Sequence, residues 1–278
     1  MKKNLAIFLM GMTIATMVLG GCKDKENISK KDGKESESVE DKKTFTVGFD
    51  AEYPPYGYMD ENGEYTGFDL ELAEAVCELE GWELVKKPIN WDSKDMELNS
   101  GAIDCIWNGF TMNGREEEYT FSTPYVDNSQ VIVVAEKSGM KTLEDLQGKS
   151  VGVQAASAAL DLLQSEEEGG QKALADTFSA LNEFADYNTA FTELQAGALD
   201  ALAIDVGVAN YQIKSRGEGY QILEETLNTE QYAIGFKKGN QELCDVAAPV
   251  ATFPAITCKS GYEKIDRRRN DCKARGKI

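Results

Sequence analysis

Short runs of β-branched and apolar residues alternate with stretches whose apolar positions recur three and four residues apart. Thr44–Phe49, Ile103–Trp107, Gln130–Ala135, Lys149–Val153 and Leu199–Ile204 read as strands. After the first of these, Leu72, Val76 and Leu79 fall on one helical face, with Asp69 as N-cap and Gly81 as the stop. Strands separated by helical segments predict an α/β fold with mainly parallel sheets.

The pattern is written twice. Glu97-Leu98-Asn99-Ser100-Gly101-Ala102-Ile103-Asp104 is echoed 96 residues later by Glu193-Leu194-Gln195-Ala196-Gly197-Ala198-Leu199-Asp200. Each copy reads as a helix end, a glycine stop and an entering strand. Val47-Gly48-Phe49-Asp50-Ala51 is likewise echoed by Val151-Gly152-Val153-Gln154-Ala155. Two echoes in one order predict two similar lobes. Ligands sit beyond the carboxyl ends of parallel strands, which here hold Asp50, Trp107–Thr111, Gln154–Ala158 and Asp205.

The first 43 residues follow another rule. Lys2 and Lys3 precede an apolar run, Leu5–Leu19, too short for a comfortable membrane span, and then Leu19-Gly20-Gly21-Cys22. That segment resembles the bacterial lipobox, which implies cleavage before Cys22 and lipid on its thiol and amine. Lys23–Lys43 holds seven lysines, seven acids and no aromatic residue, so it reads as a disordered tether.

Composition narrows the chemistry. The chain of 278 residues is 42% apolar, has 29 basic against 48 acidic residues and contains no histidine. A net charge of −19 argues against nucleic acid. Lack of histidine removes Ser-His and Cys-His nucleophile pairs and the usual zinc ligand. The six cysteines show no CxxC spacing, so a structural zinc site is not expected, and no cofactor is expected either. Apart from Cys22 five cysteines remain, at least one of them unpaired within a monomer, so no disulfide framework is expected. Cys77 and Cys105 read as buried small apolar residues.

The motifs then combine. Val47-Gly48-Phe49-Asp50-Ala51-Glu52-Tyr53-Pro54-Pro55-Tyr56, Gly67-Phe68-Asp69-Leu70 and Gly109-Phe110-Thr111-Met112-Asn113-Gly114-Arg115 come first. Tyr119-Thr120-Phe121-Ser122-Thr123-Pro124-Tyr125, Gly148-Lys149-Ser150-Val151-Gly152-Val153-Gln154 and Ala201-Leu202-Ala203-Ile204-Asp205 follow in order. Together, from about Thr44 to Leu243, they resemble the family 3 extracellular solute-binding proteins, amino-acid receptors of bacterial ABC importers. The resemblance implies a two-lobed, periplasmic-binding-protein-like (type II) fold, with the ligand cleft between lobes. Two crossover strands are expected near Gln130–Val134 and Gln231–Phe236. The implied boundaries are a signal peptide at 1–21, lipidated Cys22 and tether at 22–43, lobe 1 at 44–129 and 229–243, lobe 2 at 130–228, and a tail at 244–278.

The resemblance also implies roles. Arg115 grips the ligand carboxylate, shared with the backbone N–H groups of Ala156, Ser157 and Ala158 at a helix start. Asp205 pairs with the ammonium, helped by the Gly109 carbonyl and Thr111 hydroxyl. Tyr53 and Trp91 wall the ligand side chain, and Asp50 and Asn108 are polar groups near it. Plainer roles stand beside these: Arg115 as a surface ion pair with Glu116–Glu118, Asp205 as an N-cap, Tyr53 and Trp91 as packing. The loop Ala155–Ala158 departs from the family's glycine and hydroxyl pattern, and Ala156 adopts a positive φ less readily than glycine.

After Leu243 the resemblance is expected to stop: Cys244–Ile278 carries eight basic against four acidic residues and no sustained helical periodicity, as a shifted reading frame would give. The expected protein is a monomeric, extracytoplasmic, lipid-anchored receptor that closes on a free amino acid and serves an ABC permease and its ATPase. The alternative is an enzyme on the same fold, of cyclohexadienyl dehydratase or lytic transglycosylase type, using Asp50 or Glu52 as an acid. Side-chain specificity stays open, because Asp50 and Glu52 suit a cation and Tyr53 and Trp91 an apolar group.

Overall fold

A computed structural model describes residues 43–247. The signal peptide, Cys22, the tether and the chain beyond residue 247 lie outside the described residues, and with them the expectations placed there.

The chain starts with β1 (Thr44–Phe49), a ribbon of β2 (Glu52–Tyr53), β3 (Gly57–Met59) and β4 (Tyr65–Thr66), and α1 (Phe68–Glu80). β5 (Glu83–Pro88), α2 (Lys94–Ser100), β6 (Cys105–Ile106) and β7 (Tyr119–Phe121) follow. Next come the long β8 (Val126–Ala135), β9 (Ser150–Gln154), α3 (Ala158–Gln164), α4 (Lys172–Ala175), β10 (Ala180–Phe184) and α5 (Tyr187–Ala196). The last elements are β11 (Ala201–Asp205), α6 (Val206–Arg216), β12 (Tyr220–Ile222), β13 (Asn228–Tyr232), β14 (Gly235–Lys237) and α7 (Gln241–Ala247).

The strands form two principal sheets. The first has the order β5-β1-β6-β14-β7, and the second runs β10-β9-β11-β8-β12 with β13 also paired to β8. Parallel pairing holds for β5-β1-β6 and β10-β9-β11; β14 and β8 run against their neighbours. The chain leaves the first sheet after β7 and returns between β13 and β14. The two passages lie side by side, Ser122 N–H donating to the Ile234 carbonyl at 3.0 Å and Tyr125 N–H to that of Tyr232 at 2.9 Å. They therefore fall just before the Gln130–Val134 segment and inside Gln231–Phe236.

The sequence echoes have a physical basis. Gly101 and Gly197 both end helices in the left-handed conformation, at φ 77° and 79°, which glycine adopts without a Cβ penalty. Asp104 then accepts the Thr46 N–H at 2.7 Å, and Asp200 accepts the Ser150 N–H at 2.9 Å. A Cβ on Gly48 would meet Ile103 at 2.4 Å, and one on Gly152 would meet Leu199 at 2.6 Å. Each lobe thus reserves a glycine on its first parallel strand for the apolar residue ahead of the paired aspartate.

The period of two along β8 and β11 divides the core. Val131, Val133, Leu202 and Ile204 join the cluster running through Phe45, Val47 and Phe49, whereas Ile132, Val134, Ala201 and Ala203 face Leu160 and Leu163. Some expectations need correction. Only Cys105–Ile106 of Ile103–Trp107 is strand, and Leu79 is exposed. Asp69 does not cap α1: Gly67 holds that position, and buried Asp69 instead accepts the Gly109 N–H at 2.5 Å. Helix α7 crosses Leu243, with Cys244 and Ala247 buried in the core, so the fold does not break there. The described cysteines, Cys77, Cys105 and Cys244, are free and buried.

Candidate functional site

At the end of β11 a cluster of acceptors forms. Asp205, 3% exposed, takes hydrogen bonds on Oδ1 from Asn128 Nδ2 at 2.8 Å, Gln130 Nε2 at 2.8 Å and the Tyr232 hydroxyl at 2.6 Å. The Tyr53 hydroxyl also lies close to Asp205. Glu230 on β13 lies beside it, accepting from Thr111 Oγ1, Asn128 Nδ2 and Gln130 Nε2, each at 2.8 Å. Burial raises the carboxyl pKa of both acids, and the Asp205 charge raises that of Glu230 further. Asp205 does occupy the N-cap position of α6, but its side chain makes no capping bond. Its carboxylate is turned into this cluster instead. Gly109, at φ 57°, brings the turn before Thr111 so close that a Cβ would stand 2.9 Å from Tyr53.

A basic end lies elsewhere along the junction of the sheets. Arg115 is 9% exposed, bonds Asp161 of α3 at 2.6 Å and stacks 5.2 Å from the Phe110 ring. Its partner is thus in the other sheet's layer and not among Glu116–Glu118. Lys94 is 5% exposed; its ammonium donates to the Ala156 carbonyl at 3.1 Å and lies 5.4 Å from the Trp91 ring. Burial, then the Arg115 charge, lowers the Lys94 pKa. Ser157 caps α3, its Oγ accepting the Leu160 N–H at 3.2 Å, and Ala158 is the first helical residue.

Ala156 takes φ 54°, the conformation its Cβ disfavours. Ala156→Gly therefore stabilises the protein by about 1 kcal/mol, read as a raised midpoint in thermal melts.

Between the layers lies a cavity of about 620 Å³. Asp50, Glu52, Asp92, Glu97 and Asp186 bring carboxylates to its wall, and Trp91 brings an indole. Lys87 pairs with Glu97 at 2.7 Å. Asp50 is buried, accepts the Glu52 N–H at 2.8 Å and Gln154 Nε2 at 2.6 Å, and its pKa is pushed up to about 6, first by burial. The Gln154 bond joins the two layers, as does one from Asn188 to Glu52.

Tyr53 stands apart from that wall, its ring 5.9 Å from Tyr56 and 6.1 Å from Tyr187. Asn108 is 1% exposed, and neither its amide nitrogen nor its oxygen has a partner. Apart from Asn108, which joins none of them, the sequence-derived residues therefore fall into three groups: Asp205, Tyr53, Gly109 and Thr111; Arg115, Ala156, Ser157 and Ala158; Asp50 and Trp91. Glu230, Asn128, Gln130 and Lys94 were not anticipated. Their partners are distant in sequence, and only the alternation along β8 and β13 could have placed the first three on one face. Among the described residues no group of three or more acids and cysteines is arranged to hold a metal ion.

The comparisons agree with this architecture. Residues 45–252 match the model of the bacterial extracellular solute-binding proteins, family 3, nine residues beyond the expected limit at Leu243. The chain is 30% identical over 213 residues to the arginine-binding extracellular protein ArtP of Bacillus subtilis, covering 76% of this chain and 80% of that one. It is 29% identical over 208 residues to the L-cystine-binding protein TcyJ of Escherichia coli, covering 74% and 75%. Among solved structures, an ABC uptake transporter substrate binding protein from Streptococcus pneumoniae with bound histidine superposes with a TM-score of 0.70 at 34% identity, over 75% of this chain and 85% of that one. An ancestral arginine-binding protein bound to arginine gives 0.67 at 35%, over 74% and 90%. By its matched length and its fold, the chain belongs to the bacterial extracellular solute-binding proteins of family 3.

Proposed function

We propose that the protein captures a free amino acid with a cationic side chain outside the cytoplasm and delivers it to an ABC permease. The observation that carries the side-chain preference is the cavity wall: it gathers five carboxylates from both layers, only Glu97 of them ion-paired with a lysine, and no lysine or arginine is among its described lining residues. Charges of one sign along a low-dielectric cleft concentrate the opposite ion. The backbone ends of the ligand meet complementary groups. Arg115 and buried Lys94 offer positive charge to the carboxylate; Asp205, with the Thr111 hydroxyl, offers acceptors to the ammonium. Arg115 exchanges Asp161 for the ligand in doing so, two charge-assisted bonds replacing one partly exposed pair.

Closure follows from the same geometry. Groups that contact the ligand belong to both layers, so bound ligand favours the closed form by its differential affinity. Lipid on Cys22 and the tether would keep the receptor beside its permease. Curated relatives that bind arginine and cystine support the amino-acid class.

One observation favours the enzyme alternative: Asp50, with its pKa near 6, is a protonatable carboxyl at the cleft. Both its oxygens are already hydrogen-bonded, which suits a fixed counter-ion better than a proton shuttle. A thermal-shift screen over the amino acids, followed by recovery of the hit, separates the readings. The receptor shows its largest shifts with arginine or lysine and returns the ligand unchanged; chemical conversion supports the enzyme, and no shift with any amino acid overturns the receptor reading.

A further inference from the structure

Asp205 and Glu230 come from different strands, yet the same two amides reach one oxygen of each. Asn128 Nδ2 is 2.8 Å from both Asp205 Oδ1 and Glu230 Oε1, and Gln130 Nε2 repeats both distances. The two carboxyl oxygens are therefore less than twice that distance apart. Both residues are at least 96% buried, and among the described residues no lysine or arginine ion-pairs with either. The groups facing them are hydroxyls: Tyr53 from β2, Thr111 from the turn after β6 and Tyr232 from β13. Tyr187 of α5 is close enough for the Asp205 and Glu230 charges to act on it. Burial raises the pKa of the three tyrosines, so they stay neutral.

Two ionised carboxylates this close, buried and without a cation, repel too strongly to coexist, and one retained proton removes the conflict. Donors are also short. Asn128 Oδ1 and Gln130 Oε1 are buried with no partner, so the cluster holds more acceptors than hydrogens to fill them. An ammonium brings three N–H donors and one positive charge.

Building on the amino-acid reading above, we propose that Glu230 is a positioning residue of the ammonium subsite, sharing one proton with Asp205 until the ammonium arrives and displaces it. Before capture the pair carries one proton and a charge of −1. Afterwards both carboxylates are ionised, the ammonium supplies +1, the net charge is again −1, and the proton passes to solvent. Because Glu230 accepts the Thr111 hydrogen, the lone pairs of that hydroxyl remain free for the ammonium. Asp205 alone would bind the ammonium as a simple counter-ion; the pair makes capture a proton exchange.

Calorimetry with L-arginine, in buffers of different ionisation enthalpy near neutral pH, tests this. Wild type releases a proton fraction approaching one per ligand. Glu230→Gln, which keeps an acceptor for Thr111 without the charge, binds a few-fold more weakly with no proton release, and Glu230→Ala loses about tenfold or more. Equal release by wild type and Glu230→Gln, or none by wild type, overturns the proposal. Infrared spectra of the unliganded protein provide a readout independent of ligand. A protonated carboxyl band present in wild type and absent in Glu230→Gln supports proton sharing, and identical spectra refute it even if arginine does not bind. Failure of every amino acid to bind counts against the receptor reading instead.

Discussion

Asp205→Asn lowers affinity for every captured amino acid by about 100-fold, while the unliganded protein melts no lower than wild type. Removing one member of a buried charge pair costs about 2–5 kcal/mol in binding, which spans this factor. The folded protein bears no such cost, because the substitution leaves the net charge of the site at −1 and removes the need for Glu230 to share a proton with a second carboxyl. The substituted side chain keeps an amide oxygen that can accept from Asn128 and Gln130 as Asp205 Oδ1 does, which preserves those hydrogen bonds. Isothermal titration and thermal melts on one preparation give both quantities. Retained affinity would remove Asp205 from the site; a large fall in melting temperature would make it a structural residue.

The second large effect concerns side-chain charge. Wild type binds arginine at least about tenfold more tightly than citrulline, its neutral near-isostere, and Asp50→Asn, which removes the buried one of the wall carboxylates, lowers that ratio several-fold. Stability moves the other way. The Asp50 pKa rises from 3.8 to about 6 on folding, so its contribution is fully present below 3.8 and lost as pH rises through about 6. At neutral pH the ionised group therefore destabilises the unliganded fold. Asp50→Asn raises stability there by about 1–3 kcal/mol and removes this pH dependence. An unchanged arginine-to-citrulline ratio would show that the acidic wall does not read the ligand.

Much of this was visible in the chain because local chemistry repeats. The helix–glycine–strand joints at Gly101 and Gly197 carry their meaning in a few adjacent residues, and the paired aspartates Asp104 and Asp200 mark where the chain joins each sheet. Strand direction was harder. Gln130–Ala135 reads as a buried strand, but its antiparallel pairing with β11 depends on a segment more than sixty residues away. The same separation hid half of the acceptor cluster: Glu230 meets Thr111 across 119 positions and Asn128 across 102. Lys94 gave no sign either, since a lysine opening a helix after Trp91-Asp92-Ser93 is ordinary until Ala156 of the other layer approaches it. Asp69 fits the pattern of a helix cap, yet burial and the Gly109 N–H give it a different task.

The central claim is that the two ends of a zwitterion are held by opposite charges, Asp205 at one end and Arg115 with Lys94 at the other. The most direct test titrates the wild-type protein with L-arginine, its decarboxylated analogue and its deaminated analogue under identical conditions. Each truncated molecule is expected to bind about 100-fold or more weakly, a loss of about 2.7 kcal/mol or more. Binding of either analogue as tightly as arginine would contradict the account.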